Sequence, residues 1–266
     1  MPLHCQDALK KIRAGKELAL GMGVHHMRGS AAPMLARAAG FDWLCLDQQH
    51  GLLDRARVAD ILRGLGGDGP EIAVRVPALD AAAIGFALDV GATIVVIPMI
   101  ESADDARAAV NAALYPPRGR RSWGPISPLW LHDAPTAAEA HDRTRVWAMI
   151  ETRGALEQLD EIVQVDGLDG VFLGPNDLSL ALGTTVDDLL DASGADAPLH
   201  RIVAACRRAG LTLGAYGADA ARSARLAELG FEYIAVTTDV AIVDSGAALA
   251  LGGESSAPSE APKSRR

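Results

Sequence analysis

The sequence predicts an α/β protein of the (β/α)8 barrel class. Three observations carry the prediction. Short apolar runs alternate with helix-favouring stretches along nearly the whole chain. The alternation repeats eight times within roughly 250 residues, the length of such a barrel. Polar and charged residues collect at the C-terminal ends of the apolar runs, where barrels of this class place their active sites. A doubly wound open sheet is the alternative, because strand count alone does not show closure.

Short apolar runs bounded by turn residues read as strands buried on both faces. On that basis strands are expected at 18–24, 43–47, 71–76, 93–98, 146–150, 169–173, 211–215 and 233–237. Helices are expected after them at 31–39, 54–65, 80–89, 103–113, 154–161, 197–209, 219–229 and 240–250. Alanine-rich segments such as 102–110 favour helix because alanine loses no side-chain entropy, and Ser102 suits an N-cap. Residues 115–142 fall outside the alternation as a long loop after strand four, and a loop of that length in a compact domain is usually functional. The polar, Pro- and Ser-rich tail 252–266 reads as disordered. The expected organisation is therefore one barrel domain over 1–251 followed by the tail.

Composition narrows the function classes. With 49% apolar residues in 266, the chain can bury a large core. The net charge of −9, with no long basic stretch, argues against a nucleic-acid partner. No apolar run approaches the ~20 residues of a membrane span, and Met1 to Gly15 lacks a signal-peptide core. Cys5, Cys45 and Cys206 are scattered and odd in number, which offers neither a disulfide framework nor a CxxC metal site. A reducing cytoplasm fits.

The chemistry-bearing residues sit at strand ends. The run Val146–Ile150 ends in Glu151, and Asp169–Leu173 leads into Gly174-Pro175-Asn176-Asp177. On adjacent parallel strands the two carboxylates could converge on one hard cation, and an all-oxygen site with few protein ligands suits Mg²⁺ or Mn²⁺. Spacing alone leaves open a structural glutamate and a helix-capping aspartate. Strand two ends in Asp47-Gln48-Gln49-His50-Gly51, where His50 suits proton transfer near neutral pH. Strand three supplies Arg75, a planar, permanently charged donor for a carboxylate or oxyanion. The turn 174–177 opens a helix whose first amides can receive an anion. The four lysines are Lys10, Lys11, Lys16 and Lys263, none at a strand end, so Schiff-base chemistry lacks its nucleophile. No dinucleotide fingerprint or P-loop occurs.

At these residues the chain resembles the HpcH/HpaI family of class II pyruvate aldolases, which includes the 4-hydroxy-2-oxoheptanedioate and 2-keto-3-deoxy-sugar-acid aldolases. The matching segments are Phe41–Gly51, Val74-Arg75-Val76-Pro77, Val96–Ile100, Tyr115-Pro116-Pro117-Arg118-Gly119, Met149-Ile150-Glu151-Thr152 and Gly170–Ser179, in family order over residues 18 to 250. The resemblance implies Glu151 and Asp177 as ligands of a divalent ion (Mg²⁺, Mn²⁺ or Co²⁺) and Arg75 as the enolate-stabilising arginine. It implies His50 as the catalytic histidine and Asp89 as the aspartate that partners Arg75, across a subunit boundary in an assembly. Gly174, Asn176 and Asp177 would receive the pyruvate carboxylate. Two departures stand out. Gln48-Gln49 replaces a Gly-Glu pair carried by many members, and the first strand runs into His25-His26 where a bulkier apolar residue often sits.

The leading expectation is a metal-dependent aldolase that cleaves 4-hydroxy-2-oxo acids to pyruvate and an aldehyde. Alternatives are a related enolate enzyme, such as an oxaloacetate decarboxylase or a CoA-ester lyase, and a non-catalytic binding barrel. The helix at 240–251 is apolar on most sides, which predicts burial against another subunit. The resemblance implies a homohexamer of dimers that exchange this helix.

Overall fold

The structure is a computed structural model that describes residues 18–66, 69–130 and 135–252. The disordered-tail expectation, apart from Gly252, lies outside the described residues, as do all four lysines. Eight parallel strands close into a barrel in sequence order. They are β1 (Ala19–Val24), β2 (Trp43–Asp47), β3 (Glu71–Arg75), β4 (Ile94–Ile97), β5 (Arg145–Ile150), β6 (Gly170–Leu173), β7 (Thr212–Tyr216) and β8 (Tyr233–Thr238). The eight strands fall within the ranges read from the sequence, or within a residue of them, and closure through the β1–β8 pairing removes the open-sheet alternative.

Alternation along each strand explains the continuous apolar runs. On β2, Trp43 and Cys45 enter the barrel interior while Leu44 and Leu46 face the helices. On β5, Trp147 and Met149 point inward while Val146, Ala148 and Ile150 point outward. Both faces are buried, so neither can be polar. The interior is built around Trp43, Trp147, Phe172 and Tyr233, with the Trp147 and Tyr233 rings edge-on at 5.2 Å between centroids. Glycines make room for them. A Cβ at Gly21 would lie 2.3 Å from the Trp43 ring, and one at Gly214 2.7 Å from Phe172. At the N-terminal end the barrel is closed by polar groups. Glu71 forms an ion pair with Arg145 and accepts from the Tyr233 hydroxyl at 3.2 Å and from Thr93 Oγ1 at 3.1 Å.

The helices that cover the barrel include α1 (Ala31–Ala39), α2 (Arg55–Leu65), α3 (Ala81–Asp89) and α4 (Ala103–Ala113). Ser102 caps α4 as expected, accepting from Asp105 N at 3.1 Å. Residues 115–142 are not wholly loop: they contain a single 3-10 turn at Ser127–Leu129 and most of α5 (Ala137–Arg143). Thr136 and Glu139 form a reciprocal capping box at α5, a Thr-x-x-Glu signal that is present in the sequence. The following helices are α6 (Arg153–Glu157), α7 (Leu159–Ile162), α8 (Pro175–Leu182), α9 (Val186–Asp191), α10 (Pro198–Ala209) and α11 (Ala220–Leu229). The turn at 174–177 was expected to open a helix, but α8 and α9 as separate elements were not. Helix α12 (Asp239–Ala250) buries only Asp239, and leaves Val243 55% and Leu249 62% exposed in the single chain. No helix among the described residues is long and apolar enough to cross a membrane.

The packing at Gly21 is testable. Gly21→Ala places a methyl against a rigid indole and should destabilise the fold by about 1–3 kcal/mol, the range for core overpacking. Urea unfolding should show this as a lowered midpoint at unchanged slope.

Candidate active site

A cavity of about 260 Å³ opens at the C-terminal ends of the strands. His50, Arg75, Gly174, Asn176 and Asp177 all line it, as do His25, Asp47 and Tyr216. Barrel register explains this gathering, since parallel neighbours end at one level.

Asp47 and Arg75 are direct partners in the β2–β3 register. Arg75 Nε donates to Asp47 Oδ1 at 2.9 Å and Nη2 to Oδ2 at 2.5 Å, a bidentate pair. The carboxylate is 1% exposed. Its Oδ1 also accepts from the amides of Gln49 at 2.9 Å and His50 at 3.3 Å, which turns the chain so that the His50 side chain stands at the cavity. Burial by itself would raise the Asp47 pKa. The hydrogen bonds and charge of Arg75, with His25 nearby, outweigh it and hold the carboxyl below the usual aspartate range. The sequence had assigned Arg75 no partner in strand two, so Asp47 is a site residue that the reading missed.

Glu151 follows β5, and Ile150 pairs with Leu173, so Glu151 stands level with Gly174. A Cβ at Gly174 would lie 2.4 Å from Glu151 Oε2. Only glycine leaves space there for the carboxylate. Oε1 accepts from the Met99 amide at 2.8 Å, and Met99 adopts the left-handed φ of 56° at the end of β4. Glu151 is 1% exposed. Burial raises its pKa and the neighbouring Asp177 charge raises it further, while the Met99 amide and the charge of Arg75 oppose that without cancelling it. Asp177 lies in the first turn of α8, behind Gly174 as N-cap and Pro175. The first-turn amides of Asn176 and Asp177 have no intrahelical acceptor four residues back and are free for an anion.

A second buried carboxylate shapes the mouth. Asp239, 1% exposed at the start of α12, accepts from the amides of His25 at 3.0 Å, His26 at 2.8 Å, Met27 at 2.7 Å and Val240 at 2.9 Å. It pins the loop after β1. His25 Nε2 then lies 3.3 Å from Asp47 Oδ2. Burial pushes the His25 imidazole below the usual histidine range despite Asp47 and Asp239 nearby. His25, His26 and Asp239 bring possible ligand atoms within 4.8 Å of one another. Both Asp239 oxygens are already taken by amides and His25 Nε2 is turned to Asp47, so we read this triad as a loop clamp.

Asp89 is not brought to Arg75 within the chain. It ends α3, accepts from Arg121 Nη2 at 2.5 Å, and lines a cleft of about 770 Å³ between α3 and α4 on the outer face. Of the two glutamines that depart from the family pattern, Gln48 Nε2 donates to Leu53 O at 3.3 Å, while Gln49 Oε1 is buried with no partner among the described residues. Cys45 also lines the cavity, but burial pushes its thiol up to about 12, which leaves it protonated and inert.

The Asp47–Arg75 pair makes a stability prediction. Asp47→Asn strands a buried guanidinium and should destabilise the fold by roughly 3–5 kcal/mol in urea titrations at neutral pH. Because the folded-state pKa of Asp47 is lowered, its contribution is present in full above the ordinary aspartate value near ~4 and is lost as pH falls below it. The wild-type advantage over Asp47→Asn should therefore shrink in acid.

Comparison with known proteins agrees with this fold. Residues 26–245 match the HpcH/HpaI aldolase/citrate lyase family. The chain is 36% identical over 242 residues to a hydroxypyruvate/pyruvate aldolase of Roseovarius nubinhibens, covering 89% of this chain and 92% of that protein. It is 35% identical over 245 residues to a 4-hydroxy-2-oxo-heptane-1,7-dioate aldolase of Salmonella arizonae, covering 91% and 90%. Among solved structures, an HpcH/HpaI aldolase from Desulfitobacterium hafniense DCB-2 superposes with a TM-score of 0.77 at 27% identity, over 92% of this chain and 95% of that one. With the barrel closed and His50, Arg75 and Asp177 lining one cavity, the chain belongs to the HpcH/HpaI aldolase/citrate lyase family and is an aldolase, a carbon–carbon lyase.

Proposed function

We propose that this aldolase is divalent-metal-dependent and cleaves 4-hydroxy-2-oxo acids reversibly to pyruvate, or a similarly small 2-oxo acid, and an aldehyde. One observation carries the reading. Glu151 is buried beside Asp177, and the guanidinium of the cavity is already engaged by Asp47. A buried carboxylate with a second carboxylate beside it is unfavourable without a further cation. An oxygen-only donor set suits Mg²⁺, Mn²⁺ or Co²⁺, and Glu151 and Asp177 would hold the ion. When bound, it supplies Lewis-acid polarisation of the 2-oxo group and offsets enolate charge.

The chain's own residues divide the remaining work. Asp47 occupies Nε and Nη2 of Arg75, which leaves Nη1 to donate to the 2-oxo oxygen and orient it. The amides of Asn176 and Asp177, with Gly174 beside them, receive the substrate carboxylate. His50 accepts the proton of the 4-hydroxyl. The O–H pair becomes the new carbonyl bond at C4, the C3–C4 pair stays on C3 as the enolate, and C3 takes a proton to give the free oxo acid. The names of the relatives support a small 2-oxo acid donor. The exposed apolar side of α12 supports assembly of copies into a homo-oligomer, a hexamer by family resemblance, in which Asp89 would reach a neighbouring chain's Arg75.

The function is tested by a cleavage assay after EDTA treatment. Activity should vanish and return with Mg²⁺, Mn²⁺ or Co²⁺, and borohydride with pyruvate should trap no adduct. Full activity in chelator would overturn the reading. Arg75→Lys replaces a planar fork by a point charge and should lower kcat by about 10²–10³, the usual effect of removing one oxyanion donor. A near-wild-type rate would remove Arg75 from this role.

A further inference from the structure

Cleavage ends with a proton delivered to C3, and condensation begins with one taken from the same carbon. His50 serves the 4-hydroxyl, which leaves this second proton without a carrier. Among the described residues one further histidine lines the cavity. It is His25, one residue past β1.

The His25 imidazole is oriented as a general base is oriented. Its Nε2 lies 3.3 Å from Asp47 Oδ2. Its backbone amide donates to Asp239 Oδ1 at 3.0 Å, which anchors the residue from the other side. A Cβ at Gly23 would sit 3.3 Å from Nε2, so the glycine leaves the ring room to reach the carboxylate. A carboxylate at one imidazole nitrogen keeps the proton there and stabilises the imidazolium that forms when the other nitrogen takes a second one. That other nitrogen, Nδ1, has no partner among the described residues. The His50 side chain has no carboxylate partner among them.

The surroundings keep His25 in its base form. Four titratable or charged groups face it. Asp47 and Asp239 favour the imidazolium, Arg75 and His26 disfavour it, and burial outweighs the two carboxylates. At neutral pH the ring is therefore uncharged. The reacting carbon comes to its side of the cavity through the shared aspartate. Asp47 Oδ2 takes Arg75 Nη2 at 2.5 Å and faces His25 Nε2, so guanidinium and imidazole flank one oxygen. The 2-oxo oxygen assigned to Arg75 is two bonds from C3.

We propose that His25 is a second catalytic base, the group that exchanges a proton with C3 of the 2-oxo acid, with Asp47 as its orienting carboxylate. In condensation the C3–H bond breaks and its pair forms the C2–C3 double bond of the enolate. The carbonyl pair moves onto the oxygen held by Arg75, and His25 Nδ1 takes the proton. In cleavage the His25 imidazolium gives C3 a proton drawn from solvent, while His50 passes the 4-hydroxyl proton to solvent. The inference rests on the reading that a pyruvate-type enolate forms in this cavity, and it divides the two proton transfers between two histidines.

The test compares two rates in the enzyme saturated with Mg²⁺. Deuterium exchange into the pyruvate methyl group needs only the C3 transfer. Aldehyde release in the first turnover of a 4-hydroxy-2-oxo acid precedes that transfer. His25→Gln should lower the ratio of exchange to first-turnover release by about 10²–10⁴, the usual contribution of a general base. In the wild type, exchange should fall as pH drops through an ionisation below ~6.5, the reference value for histidine. That limb should persist in His50→Ala and be missing from the residual exchange of His25→Gln. In His25→Ala, added imidazole should restore exchange without raising first-turnover release. A residue that only shapes the loop would lower both rates together, and an unmoved ratio would overturn the proposal. Exchange that survives His25→Gln and is lost in His50→Ala would overturn it equally. Absence of exchange in the wild type would sink the enolate reading itself, and this inference with it.

Discussion

Charge compensation at the barrel mouth is the constraint on which the rest of the site depends. Among the described residues the cavity is lined by a single arginine, and a buried aspartate takes it in a two-point pair. Asp47 and Arg75 thereby neutralise one another. Glu151 remains, nearly inaccessible, with one backbone amide on Oε1, the Asp177 carboxylate nearby and only the through-space charge of Arg75 to offset them. A buried carboxylate with a second carboxylate at its side gains stability from a cation there. The same pairing leaves one end of the guanidinium free for a substrate oxygen. A single hydrogen-bonding arrangement thus underlies both the proposed ion at Glu151 and Asp177 and the orientation of the arginine.

That arrangement is a consequence of strand register. Asp47 meets Arg75 because their strands pair residue for residue, and Glu151 meets Gly174 because Ile150 pairs with Leu173. A slip of one residue would turn each of these side chains to the opposite face of the sheet. The aromatic interior resists such slips, since Trp43 fits only over Gly21 and Phe172 only beside Gly214. Stability at the centre of the barrel and geometry at its mouth are therefore coupled through the same strands. Asp239 extends the coupling to the loop after β1, gathering three consecutive amides and setting where His25 stands.

Much of this was legible in the sequence, for a definite reason. Parallel strands buried on both faces must be apolar throughout, so their extents show directly, and a barrel's chemistry lies at their C-terminal ends. His50, Arg75, Glu151 and Asp177 followed from that rule. Asp47 obeyed the same rule but gave no sign of its partner, because the pairing spans 28 residues and needs the register. Asp239 was less visible still. Beside Thr238 it reads as an ordinary helix start, while its amide partners His25 to Met27 lie 212 to 214 residues away. The capping box of Thr136 and Glu139 is readable in the Thr-x-x-Glu spacing, yet it lies inside the segment 115–142 that the strand-helix alternation makes a loop. Asp89 was assigned by resemblance alone, and within one chain its partner is Arg121.

The account stands most directly on where the ion binds. Electron paramagnetic resonance during a Mn²⁺ titration measures this without reference to turnover. The account predicts one tight site per chain, lost in Glu151→Gln and in Asp177→Asn and retained in His26→Ala. Tight binding that survives both carboxylate substitutions, or that disappears in His26→Ala, would place the ion on the loop after β1 and contradict it.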